Sequence, residues 1–354
     1  MLVEHVEGKW IAAFVRTLRM CRIGPGDVVA ILSESQSRAV LVQLAELALC
    51  QIGARAFHIR IPSPPLRDPV ATRSTGSSHS IGQLEPVIAA LSQAHTVVDC
   101  TVEGLLHAPE MPRILAGGAR VFMVSNEHPE ILERLQPRRW LQPVVENAKS
   151  KLRAATQMTV TSASGTNLVV NVRGAPVKGA AGYVEEPGQV AYWPGGICLC
   201  FPGPGSVSGK LVLAEGDVNL TFKRYIQSPI ELTIEDDHVV SISGKGLDSD
   251  LLRSYYEAWG DRGAYGVSHV GWGLNPLARW DSLTMYDKSQ TNGTELRAFA
   301  GNFLFSTGAN EHAGRFTQGH FDFPMRHCTV ALDGEVVVDA GRVVGLEIPQ
   351  ELVE

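Results

Sequence analysis

Long apolar runs are missing from this sequence of 354 residues. No stretch of about eighteen consecutive apolar residues occurs, so no membrane-spanning helix is expected. A basic excess is missing too. Lys and Arg number 31 against 37 Asp and Glu, a formal charge of −6, which argues against nucleic acid as a partner because phosphates are held by a basic face. Cysteines are few, at positions 21, 50, 100, 198, 200 and 328. Their scatter offers neither a disulfide framework nor a Cys-x-x-Cys metal knuckle, as expected of a protein in a reducing cytoplasm. Met1-Leu2-Val3-Glu4-His5-Val6-Glu7 lacks a basic head and an apolar segment, so no signal peptide is expected. Finally, no Gly-x-Gly-x-x-Gly follows the first strand-like run. Gly24-Pro25-Gly26-Asp27 precedes it, and the glycine-rich run from Gly203 to Gly209 leads into strand-like Lys210-Leu211-Val212-Leu213. Neither has the context of a phosphate-binding turn.

What is present is the composition of an ordinary globular protein, 44% hydrophobic and 19% charged, long enough for two domains. Val6 to Arg22 carries Trp10, Ala13, Phe14 and Leu18 at helical spacing, and Val28 to Leu32 is a short, continuously apolar strand. A helix over Ser37 to Ile52, closed by Gly53, is followed by a strand near Ala56 to Ile61. Next come a helix over Ile81 to Ala94, the strand Thr96 to Asp99, a helix around Met111 to Leu115 and the strand Val121 to Val124. Strands buried on both faces and alternating with helices predict a Rossmann-like parallel sheet in an α/β domain. The Pro-, Ser-, Thr- and Gly-rich break between Pro62 and His79 is long for a compact domain, as functional or mobile loops are.

A helix around Trp140 to Ala154 bridges to a different texture. Strand-like segments recur at Met158–Thr161, Leu168–Val172, Ile197–Phe201, Leu211–Leu213, Ile230–Ile234, Val239–Ile242, Thr329–Leu332 and Val336–Val338. Asp333-Gly334 between the last two is a hairpin signal. One clear helix spans Asp248 to Tyr256. The expected division is an α/β domain over 1–150 and an α+β, β-rich domain over 151–354.

The candidate chemistry sits near the C-terminus. In Gly319-His320-Phe321-Asp322, an extended chain would project His320 and Asp322 from one face, as two ligands of a divalent metal. A second His would complete a 2-His-1-carboxylate face. His269, between small residues in Ser268-His269-Val270-Gly271, is the candidate. A surface His and a turn Asp beside a strand fit the same spacing. His107 lies after a strand end, where α/β sheets place ligand-facing loops, although a lone loop His is more often solvent-facing and inert.

Taken in order, His269-x-Gly-x-Gly-x-Asn275-Pro276, Phe305-Ser306-Thr307-Gly308 and Gly319-His320-x-Asp322 resemble the aminopeptidase T type of metallo-aminopeptidase. They resemble more closely its relatives, the 2,5-dihydroxypyridine 5,6-dioxygenases of bacterial nicotinate degradation. The resemblance extends to Leu106-His107, Pro187-Gly188 and Trp193-Pro194. The peptidases carry Glu where this chain has Ile197 and His269, and a His in the segment where Gly301 to Phe305 has none. Those departures favour one metal over a bridged pair.

The resemblance implies an Fe(II) enzyme that opens 2,5-dihydroxypyridine, or a close hydroxypyridine, with O2 to N-formylmaleamate. His269, His320 and Asp322 would hold the iron, and His107 would be the catalytic base. Arg297 would hold an anionic oxygen, unless it is a surface partner of Glu295 or Asp287. Tyr192 and Trp193 would line the ring pocket. Glu185 would meet a ring nitrogen, unless it is a solvated carboxylate. A cytoplasmic homo-oligomer is expected. The rival readings are a metallo-aminopeptidase-like hydrolase and a non-catalytic small-molecule binding relative.

Overall fold

The computed structural model describes residues 5–63, 65 and 79–347. Most of the break between Pro62 and His79 lies outside them.

Five parallel strands form one sheet, in the spatial order Arg55–Ile61, Val28–Glu34, Thr96–Asp99, Arg120–Val124 and Val190–Trp193. The inner strands read as unbroken apolar runs because both faces are covered. Val29, Ile31, Val98 and Phe122 pack against the helices Gly8–Met20 and Ala39–Ile52. Ala30, Val97 and Val121 pack against Glu85–Gln93 and Met111–Ala116 on the other face. The second helix ends as its sequence predicts, with Gly53 at φ 81° in the left-handed region that glycine adopts without strain. All six cysteines are free. Among the described residues, no helix is long and apolar enough to cross a membrane.

The remainder is antiparallel. An eight-stranded sheet runs His238–Gly244, Ile230–Glu235, Val207–Leu213, Asn167–Asn171, Gln157–Ser162, Cys328–Leu332, Glu335–Asp339 and Arg342–Val343. The Asp333-Gly334 turn joins Leu332 to Glu335 with both turn residues at positive φ, as a two-residue hairpin requires. A smaller five-stranded sheet runs Phe321–Met325, Phe303–Thr307, Val267–Gly273, Ile197–Cys200 and Val177–Ala180. Residue 150 falls within the helix Leu141–Ala154, and Val190–Trp193 returns to the parallel sheet after it. The chain therefore crosses between the two halves more than once.

Buried carboxylates hold the loops between these halves. Glu127, wholly buried after the strand Arg120–Val124, accepts the backbone N–H groups of Asn292, Gly293 and Thr294, each at 2.8 Å. Those groups begin the short helix Thr294–Ala298, which carries Arg297. The ion pair of Arg134 with Glu295, at 2.8 Å, fixes the same helix from a second side. Glu127→Ala would leave three buried donors without a partner, so it is expected to lower unfolding free energy by at least about 3 kcal/mol. Urea denaturation of the variant against wild type measures this, and an unchanged midpoint would contradict it.

Candidate metal centre

The small antiparallel sheet has one apolar and one chemical face, and alternation explains both. Along Phe321–Met325, the side chains of Phe321, Phe323 and Met325 enter the core, with Phe321 and Phe323 stacked at 5.4 Å. Asp322 faces the other way. Next door, Phe303 and Phe305 join that core, while Ser306 lies opposite Asp322 in register and donates its hydroxyl to the Asp322 Oδ1. Full burial of such a Phe contributes about 2 kcal/mol. Four of them in alternate positions therefore pin the register that aims Asp322.

His269 needs an irregularity to reach the same spot. Val267 and Val270 both enter the core, which strict alternation forbids, and the ladder shifts register between them. The bulge turns His269 to the chemical face. There its Nε2 stands 3.5 Å from Asp322 Oδ1, and the His320 Nε2 stands 3.4 Å from the same oxygen. Gly308, at φ 113°, allows its backbone to lie against Gly319 immediately before His320; a Cβ there would sit 2.1 Å from the Gly319 carbonyl oxygen.

His107 arrives from the parallel sheet. Its loop leaves the strand Thr96–Asp99 and is folded back by Asp99, which accepts from Thr101 N at 3.0 Å and Leu105 N at 2.8 Å. Glu34 accepts from Val102 N at 2.8 Å. The three imidazoles of His107, His269 and His320 then each place a ligand atom within 4.8 Å of the others. Among the described residues, no other His, Cys, Asp or Glu group meets that standard.

The electrostatics suit a cation. Burial pushes the His269 imidazolium pKa down to about 3, with His320, His107 and Arg297 adding to the fall against Asp322, so its ring is neutral with a free lone pair. Burial opposes ionisation of Asp322, but the Arg297 guanidinium and His320 hold its pKa well below the usual carboxylate range. Arg297 Nε donates to Asp322 Oδ2 at 2.6 Å, which leaves Oδ1 toward the histidines. His269 and His320 each keep a buried Nδ1 with no hydrogen-bond partner among the described residues. Imidazoles beside an ionised carboxylate are the donor set of a divalent transition metal.

Residues 9–345 match the family model of 2,5-dihydroxypyridine 5,6-dioxygenase. The chain belongs to this family. It is 35% identical over 339 residues to the 2,5-dihydroxypyridine 5,6-dioxygenase of Pseudomonas putida, covering 94% of this chain and 95% of that one. The solved structure of the 2,5-dihydroxypyridine dioxygenase from Pseudomonas putida KT2440 superposes with a TM-score of 0.89 at 34% identity, covering 96% of this chain and 97% of that one. AmpT from Thermus thermophilus shares the fold, with a TM-score of 0.64 at 14% identity, covering 95% of this chain and 99% of that one.

Within this dioxygenase fold, His107, His269, His320 and Asp322 lie together. Arg297 joins them through its ion pair with Asp322. Tyr192 packs with Ile197, Ala298 and Leu304 beside the Arg297 helix. Trp193 does not line the site. Strand alternation sends it into the core, where it packs on Phe14 and Phe122 and donates Nε1–H to Leu135 O at 2.8 Å. Glu185 makes its contacts elsewhere, with Arg22 at 3.3 Å and Arg139 at 3.0 Å. Ser306 and Glu311 are functional residues that no motif singled out by chemistry, and only the Ser306 position, within the Phe305-to-Gly308 motif, carries a signal in the sequence.

In chelator-treated protein, Arg297→Met would strand the buried Asp322 without its cation. A loss of about 3–5 kcal/mol is expected, read by denaturant unfolding. Arg297→Lys should recover only part of it, since an ammonium lacks the planar fork. Wild-type stability in Arg297→Met would remove Arg297 from the account.

Proposed function

We propose that this chain opens the ring of 2,5-dihydroxypyridine, or a close hydroxypyridine, between C5 and C6 with O2, giving N-formylmaleamate in nicotinate degradation. The observation that carries the reading is the convergence of two buried histidines on one ionised carboxylate in a chain of this family. His269, His320 and Asp322 are proposed to hold one Fe(II), a facial set that leaves adjacent positions open. The iron supplies the redox chemistry through which O2 reacts with an aromatic ring.

The remaining steps belong to the protein. His107 accepts the proton of a substrate hydroxyl at an imidazole nitrogen, as a general base. Its side chain is 10% exposed, against 6% for His269 and 2% for His320, so substrate approaches past His107. Arg297 fixes Asp322 and adds positive charge beside an anionic ring oxygen. Tyr192, Ile197 and Leu304 offer the ring an apolar wall, and burial keeps the Tyr192 hydroxyl neutral by raising its pKa. The buried setting excludes water from the reacting atoms. A cytoplasmic homo-oligomer completes the proposal.

Protein reconstituted with Fe(II) without oxygen should consume one O2 per 2,5-dihydroxypyridine, with loss of the substrate's ultraviolet band. It should not hydrolyse Leu-p-nitroanilide with Co(II) or Zn(II). Hydrolysis without oxygen uptake would favour the peptidase-like reading instead. His107→Ala should keep its iron and lose kcat by about 10²- to 10⁴-fold. Loss of iron in that variant would make His107 a ligand, and would overturn its assignment as the base.

A further inference from the structure

Of the four residues gathered around the centre, His107 alone comes from a loop of the parallel sheet, and its ring must be held from outside that loop. We propose that Glu311 holds it, as the positioning residue of His107. This rests on the reading of His107 as the base. The Glu311 Oε1 lies 3.4 Å from His107 Nδ1. Among the described residues it is the one carboxylate paired with that ring. A carboxylate can only accept there, so the proton of the neutral imidazole sits on Nδ1 and the lone pair on Nε2. The base then meets substrate in a single tautomer and orientation.

Glu311 is itself built in. It opens the short turn Glu311–Ala313, whose capping Asn310 accepts from Ala313 N at 3.1 Å and donates to Pro202 O at 2.9 Å. The neighbouring Phe201 packs edge-on to both His107 and His269, at 6.1 and 5.7 Å, so the turn and the centre share one anchor. Burial works against the Glu311 carboxylate, yet the His107 N–H that it accepts keeps its pKa below the usual value. His107 belongs to the first half of the chain and Glu311 to the second. Their contact thus joins the halves across the site, and its loss would free the ring without touching His269, His320 or Asp322.

The test compares Glu311→Ala and Glu311→Gln with wild type and with His107→Ala. Glu311→Ala is expected to keep its iron and its melting temperature while kcat falls about 10- to 100-fold and KM changes little. Glu311→Gln, whose amide oxygen still accepts from Nδ1–H, should recover most of kcat. In metal-free protein labelled with 15N-histidine, His107 should show the Nδ1–H tautomer in wild type and Glu311→Gln, and lose that bias in Glu311→Ala. Wild-type kcat and tautomer in Glu311→Ala would overturn the proposal while leaving His107 as base, provided His107→Ala is inactive. Full turnover in His107→Ala would defeat the underlying reading instead.

Discussion

A carboxylate with 2% exposure stays ionised only if its surroundings repay the lost hydration, and Asp322 is repaid from every side. Arg297 holds Oδ2, Ser306 donates to Oδ1, and two imidazole Nε2 atoms face Oδ1. Each partner comes from a different element: a short helix, the adjacent strand, a bulged strand and the residue preceding the Asp322 strand. The Phe ladder on the opposite face fixes the register, the register fixes Asp322, and Asp322 gathers the rest. A slip of one residue would send the carboxylate into the aromatic core.

The same device recurs around the centre. Asp99 and Glu34 fold the His107 loop through backbone N–H groups, and Glu127 seats the helix of Arg297. Loops that cross between the halves would otherwise bury unsatisfied donors. Acceptor carboxylates satisfy those donors and also impose a conformation. The site is thereby positioned by side chains outside the group of His107, His269, His320 and Asp322.

Much of the fold was legible in advance. The parallel strands and their helices fall close to their expected places because continuous apolar runs and helical periodicity report burial on two faces or one. The hairpin at Asp333-Gly334 was equally plain. The strands Val267–Gly273 and Phe303–Thr307, which build the centre, were not read as strands. Glycines at 271 and 273 and a bulge at His269 hide the first, and Phe303–Thr307 is wholly buried and short of alternation. Of the site, same-face geometry pointed to His320 and Asp322, small neighbours to His269 and a place after a strand end to His107, and the family resemblance added their roles. Trp193 was misplaced because motif order does not say which face a strand residue takes. Glu311 was missed because a polar loop residue shows no partner until the fold brings one.

The whole arrangement serves a single-metal face built on Asp322. It is tested most directly by metal analysis of protein purified without oxygen and of its Asp322→Ala variant. One iron per chain is expected in the first and only traces in the second. Two divalent ions per chain, or full iron retention without Asp322, would contradict it.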